Sequence, residues 1–248
     1  MKREYHKWYS PSLQRDMELL IFGHAGVPVL VFPSSMGRFF EYEDRGMINA
    51  TAYQYEQGGI QAFCADSVDA ESWYNKAAHP ADRVRRHMAY ESYIVNELVP
   101  LIRRLNPASG ITASGITTTG ITTTGCSFGG YHAMNLALKR PDVFDRCVAM
   151  SGAFDMRPFL DDYYDDNCYF NNPADYLAEL GESWYTEYYR DGNRFLMAAG
   201  EWDICLGENE RLAGIMDAGN IPHRLDIWGD HATHDWPLWQ RMAQAYFR

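Results

Sequence analysis

Residues 125–130 read Gly-Cys-Ser-Phe-Gly-Gly, which sets Ser127 in a G-x-S-x-G arrangement. A serine hydroxyl becomes a strong nucleophile when a base takes its proton and fixed donors receive the charge developing on the attacked carbonyl. A sharp turn from strand into helix supplies that setting. The serine backbone is strained, side chains at the glycine positions would clash, and the N–H groups of the following helix face the developing oxyanion. The bare motif arises often by chance, and a structural turn is the competing reading. Its context raises it: 121–124 reads as a strand, 131–140 as a helix stopped by Pro141, and 144–150 as another strand. The same stretch nearly spells a phosphate-binding loop, Gly120-x4-Gly125-Cys126-Ser127, but Cys126 stands where a lysine would reach the phosphates.

Such a serine needs a base and an orienting acid, in the chain order Ser, Asp, His for this architecture. Residues 194–199 read as a strand leading into Gly200-Glu201-Trp202-Asp203. Asp203 lies just past the strand end and is favoured as the acid over Glu201. The next strand, 224–228, leads into Gly229-Asp230-His231-Ala232-Thr233-His234-Asp235-Trp236, which offers two bases. His231 is close to the strand end, and His234 lies directly before a helix. No HExxH-type helix supports a metal site at these histidines, so neither a metal nor another cofactor is expected.

The elements around these residues alternate. Apolar runs at 17–22, 27–32 and 60–65 read as strands, 41–57 as a helix ending at Gly58-Gly59, and 79–106 as a long amphipathic helix kinked at Pro100. Helices at 208–218 and 236–247 complete the pattern. Alternation of this kind predicts a mostly parallel sheet with helices on both faces, in one domain spanning 1–248. Residues 155–190 break the rhythm, rich in Asp, Tyr and Trp, and read as a cap-like insertion over the strand ends. Residues 111–125 repeat a pentapeptide, ITASG-ITTTG-ITTTG. One copy suffices for the strand before Gly125, so 121–124 is assigned to the strand and 109–119 to a looped or hairpin-like extension leaving the N-terminal edge of the sheet, the end away from the ligand crevice.

The chain has 248 residues, with 22 Lys and Arg against 33 Asp and Glu, a net charge of −11 that argues against a general nucleic-acid binder. No run approaches the roughly 18 apolar residues of a membrane span, and the N-terminus lacks the apolar stretch of a secretory signal. Five dispersed cysteines without a CxxC pair indicate neither a disulfide framework nor zinc, so a reduced, cytoplasmic setting is expected. Aromatic residues are 15 % of the chain, including 17 Tyr and 7 Trp, enough for a large core plus an aromatic-lined surface. Base rates leave room for a homo-oligomer.

Four further stretches carry weaker signals. His132 reads as a packed or hydrogen-bonded histidine, and Arg83-Val84-Arg85-Arg86-His87 as a solvated basic face. The acidic run 161–166 lacks EF-hand spacing. Trp184-Tyr185 and Tyr188-Tyr189 suit either a pocket lining or a core.

The chain resembles the esterase D-like family of esterases within the α/β-hydrolases, especially a bacterial cytoplasmic branch. The matching pieces are Gly125-Cys126-Ser127-Phe128-Gly129-Gly130-Tyr131-His132-Ala133, Gly200-x-x-Asp203, Gly219-Asn220-Ile221-Pro222 and His234-Asp235-Trp236-x-x-Trp239. The family's histidine precedes an Asp/Glu-Trp pair, which selects His234. The resemblance implies an α/β-hydrolase fold with a Ser127–His234–Asp203 triad acting on small-molecule esters through an acyl-enzyme. It also implies an oxyanion hole of two backbone N–H groups. One belongs to Phe128. The other comes from Pro33-Ser34-Ser35-Met36-Gly37, by position from Ser35, with Ser34 and Met36 as the alternatives. The repeat departs from the family pattern, in which a single short strand precedes the serine. Transfer of the acyl group to another alcohol, or a binding protein with a relic triad, are the competing functions.

Overall fold

The computed structural model describes residues 1–106, 120–181, 183–190 and 194–248. Its strands are β1 (Arg3–Ser10), β2 (Arg15–Phe22), β3 (Val27–Phe32), β4 (Ile60–Ala65), β5 (Ile121–Cys126), β6 (Phe144–Met150), β7 (Phe195–Gly200) and β8 (His223–Trp228). They form one sheet in the order β1-β2-β4-β3-β5-β6-β7-β8. β1 and β2 pair antiparallel, as do β2 and β4, and every other pairing is parallel. This is the mostly parallel sheet of an α/β-hydrolase.

The central strands are continuous apolar runs because both faces are covered. Alternate residues of each strand enter opposite cores. Leu19, Ile21, Leu30, Phe32 and Phe63 point into one, and Leu20, Phe22, Val29, Val31 and Ala62 into the other. Helices α1 (Glu41–Asp44), α2 (Met47–Ala50) and α3 (Ala52–Glu56) follow β3, and α4 (Pro80–Tyr93) and α5 (Val99–Leu105) follow β4. α6 (Phe128–Lys139) follows β5. α7 (Asp166–Tyr169), α8 (Pro173–Tyr176) and α9 (Trp184–Tyr189) lie between β6 and β7. α10 (Leu206–Ala218) and α11 (Trp236–Tyr246) flank β8. α4, α5, α6 and α10 cover the first core, and α2 and α11 contribute to the second.

One expectation is corrected, and two features go beyond the sequence pattern. The span 41–57 is three short helices, because Gly46 adopts φ +72° and Thr51 leaves the helical region between them. The long helix runs on through Pro100, with a π-turn at Ile94–Leu98 just before it. Proline has no N–H to close the preceding turn, and the wider turn absorbs that loss. Edge strand β1 has no counterpart in the sequence reading.

The last repeat copy does form β5. Thr123 Oγ1 donates to the Ala133 carbonyl at 3.0 Å and Thr124 Oγ1 to that of Val148 at 2.7 Å, so the buried hydroxyls are satisfied. The proposed extension at 109–119 lies outside the described residues.

Candidate active site

Loops after β3, β4, β5, β6, β7 and β8 leave the carboxyl edge of the parallel strands, where open α/β sheets bind ligands. Ser127 is the turn between β5 and α6. It sits at φ 56° and ψ −121°, outside the ordinary regions for a side-chain-bearing residue. The turn closes this tightly because of its glycines. A Cβ on Gly125 would lie 2.3 Å from Gly129 backbone atoms, and one on Gly129 would lie 2.5 Å from the Phe32 and Pro33 carbonyl oxygens. The second contact also presses the start of α6 against the loop after β3.

His234 precedes α11, whose first turn is capped by Asp235 accepting from the Leu238 N–H at 3.1 Å. Its Nε2 is 2.9 Å from Ser127 Oγ, and its Nδ1 is 2.8 Å from Asp203 Oδ1. The two bonds use both ring nitrogens and fix the tautomer with Nδ1–H towards the carboxylate. Asp203 is buried. Burial alone would raise its pKa, but hydrogen bonds from His234, Ser151 and the Cys205 backbone outweigh it and hold the carboxyl below the ordinary value.

Sequence reasoning missed Ser151, the residue just past β6. Its hydroxyl donates to Asp203 Oδ2 and accepts from Trp239 Nε1 at 2.8 Å. Trp239 also sets its ring edge-on to His234, with centroids 4.9 Å apart. Of the tryptophans near the candidate acid and base, Trp239 alone among the described residues touches this chain of bonds directly. Trp236 packs on Trp239, and Trp228 donates to Tyr246 at 2.8 Å. Ser151 could have been suspected only from its place at the end of a central strand.

The rejected candidates pair with each other. Glu201 accepts from the His231 backbone N–H, and its carboxylate lies 3.3 Å from His231 Nδ1. Trp202 stacks on the His231 ring at 4.0 Å. They tie the Asp203 loop to the His234 loop. Asp203, Cys205 and His234 bring three donor atoms within 4.8 Å, enough to ask whether they hold a metal. Burial pushes the Cys205 thiol up to about 12, and both His234 nitrogens are committed, so the set fits a proton relay better than a metal centre.

The loop after β3 discriminates among its own N–H groups. The Ser34 N–H donates to Glu41 at 2.7 Å, that of Met36 to Asp69 Oδ2 at 3.2 Å and that of Gly37 to the Ser34 carbonyl at 2.8 Å. The Ser35 N–H has no protein acceptor among the described residues, and neither does that of Phe128, the first residue of α6. Two unspent donors thus flank the serine turn. Beside them Tyr74 gives its hydroxyl to Ser35 Oγ at 2.8 Å and packs edge-on against Phe128 and Phe159. Trp202 and Ile204, on either side of Asp203, are 60 % and 83 % exposed.

The basic run on α4 is only in part the solvated face expected: Arg85 is exposed, but its neighbours turn inward. Arg83 is 2 % exposed and donates to the carbonyls of Asn75, Lys76 and Phe159 and to Asp161. It fastens the segment after β6 to the loop before α4. The Trp184–Tyr189 aromatics divide: Tyr189 is core, and Trp184 is 48 % exposed.

Residues 10–246 match the family described as "Putative esterase". No curated protein matches the chain. Among solved structures, a ferulic acid esterase superposes with a TM-score of 0.76 at 14 % identity, covering 99 % of this chain and 96 % of that one. An S-formylglutathione hydrolase from Agrobacterium tumefaciens gives 0.71 at 18 % identity, covering 98 % and 92 %. Another from Staphylococcus aureus gives 0.68 at 16 %, covering 99 % and 95 %. At these identities the likeness shows the fold.

Proposed function

The chain belongs to the putative-esterase family and is a carboxylic-ester hydrolase, and from that premise we propose that it works through Ser127, His234 and Asp203 by way of an acyl-enzyme. The carrying observation is the unbroken line from Ser127 Oγ through both His234 nitrogens to Asp203. His234 Nε2 takes the Ser127 proton as Oγ bonds to the ester carbonyl carbon. The Ser35 and Phe128 N–H groups receive the oxyanion. The C–O bond to the alcohol breaks as His234 returns its proton to the leaving oxygen. A water, deprotonated by His234, attacks the acyl-enzyme and releases the acid and free Ser127.

Asp203 fixes the His234 tautomer and offsets the charge of the imidazolium. Tyr74, Phe128 and Phe159 form an aromatic flank beside the oxyanion donors. The segment 155–190 supplies Phe159 and acts as a small cap on the single domain. That flank favours esters with an apolar or aromatic part, a preference in keeping with the neighbour named as a ferulic acid esterase. The test is an ester panel of graded acyl length and aromatic content, run with Ser127→Ala as control. The expected result is activity that disappears in the variant and is highest on aromatic or medium acyl groups. Hydrolysis at the wild-type rate by Ser127→Ala would sink the proposal.

A further inference from the structure

A second Asp–His pair lies on the other side of the serine. Asp69, in the loop after β4, points its Oδ1 at His132 Nε2 on α6, 2.9 Å away, and its Oδ2 accepts from the Met36 N–H at 3.2 Å. Both side chains are almost fully buried. His132 is wedged among Phe32, Tyr90, Phe128 and Tyr131 and stacks against His87 at 5.5 Å. No described group partners its Nδ1. A buried nitrogen without a partner is cheaper bare than carrying a hydrogen, so the Nε2–H tautomer donating to Asp69 is favoured.

Met36 follows Ser35 and sits at φ +54°, a conformation its side chain disfavours. The neighbouring residues are held too: Ser34 by Glu41 through its N–H and hydroxyl, Ser35 by Tyr74, and the Gly37 carbonyl by Ser67 at 2.7 Å. Tyr74 reaches α6 by ring packing on Phe128, whereas Asp69 is, among the described residues, the one of these partners that hydrogen-bonds on to a side chain of that helix.

We propose that Asp69 and His132 are positioning residues that lock the loop after β3 to α6 and so set the Ser35 N–H at the distance from Ser127 needed to receive the oxyanion. This rests on the triad reading. The pair has the chemistry of Asp203–His234 but moves no proton. His132 is 1 % exposed and turns no free nitrogen towards substrate, so its bond to Asp69 acts as a fixed strut between the two halves of the oxyanion hole.

The test compares Asp69→Ala, Asp69→Asn, His132→Phe and the double variant Asp69→Ala/His132→Phe with wild type and Ser127→Ala. In Asp69→Ala, kcat should fall about 10- to 100-fold with KM changed less than about threefold, since a misplaced donor weakens transition-state binding. Affinity for a trifluoromethyl ketone, which forms a tetrahedral adduct, should fall by the same factor as kcat. His132→Phe should show a smaller loss of the same kind, and the double variant no more loss than Asp69→Ala. In Asp69→Asn the amide oxygen still accepts from the Met36 N–H, and the amide NH2 donates to His132 Nε2 once the imidazole carries its hydrogen on Nδ1, so the variant should fold and retain kcat within about fivefold of wild type.

A kcat at the wild-type level in folded Asp69→Ala would overturn the strut, as would ketone affinity that does not track kcat. If Asp69→Ala fails to fold, Asp69→Asn with His132→Phe decides: additive losses in that pair, or a drop in Asp69→Asn beyond about fivefold, would contradict it. Activity persisting in Ser127→Ala would instead overturn the triad reading, which separates the two failures.

Discussion

Two Asp–His pairs flank Ser127, and what separates their work is where the second imidazole nitrogen points. Asp203 and His234 meet at 2.8 Å, Asp69 and His132 at 2.9 Å. His234 keeps a side chain 16 % exposed and turns Nε2 to the serine, whereas His132 is sealed among aromatic rings with its other nitrogen unpartnered among the described residues. The first pair can cycle a proton with solvent and substrate. The second can only hold a shape. Chemistry of the residues alone therefore does not assign a role; connectivity and access do.

The sharpest way to break this comparison is one substitution made on each side. Asp203→Asn keeps the volume but lets His234 take the wrong tautomer, and kcat should fall by about 10⁴-fold. Asp69→Asn, the same chemical change, should cost less than about fivefold. Comparable losses at both positions, measured as kcat on one ester, would erase the distinction. Next in size is Ser151→Ala, which removes one of the hydrogen bonds that hold the Asp203 carboxyl low. A drop in kcat of about tenfold is expected, by analogy with lost outer hydrogen bonds to reacting groups. Trp239→Phe deletes the donor to Ser151 but keeps the ring against His234, so activity should change less than about threefold while stability falls by about 1 kcal/mol, read from urea unfolding.

The smallest effect on turnover should come behind His132. Burial alone would raise the Glu91 carboxyl, but Lys139 and His87 outweigh it and bring it down to about 2 from 4.5. A lowered carboxyl pKa adds stability that is complete above the unfolded value and lost as pH falls through the folded one. Wild type should thus exceed Glu91→Gln in stability at pH 7, and the gap should close between about pH 4.5 and pH 2. A gap that does not narrow over that window would count against the Glu91–Lys139 pairing.

The acting side was the more legible one. Ser127 and Asp203 each sit at the end of an apolar strand, so local pattern pointed to them, whereas His231 and His234 stayed open until the family resemblance selected His234. β3, β4 and β6 were legible for the same reason, being buried on both faces. β1 was not, because alternate residues Glu4, His6, Trp8 and Ser10 turn inward and offer no apolar period. The helix breaks at Gly46 and Thr51 carried too weak a signal against the helical composition of 41–57. Ser151 and Asp69 were missed because their roles come from loops that meet only when the sheet forms. His132 fits the packed or hydrogen-bonded histidine expected of it, but its partner, 63 residues earlier, lies beyond any local pattern.

The most direct test of the central claim is to quench the wild-type protein with acid during turnover of a p-nitrophenyl ester and map the acylated peptide by mass spectrometry. The expected result is a single acyl group on Ser127, absent from Ser127→Ala, which should also lose hydrolysis. An acyl group on any other residue, or undiminished hydrolysis by Ser127→Ala, would contradict it.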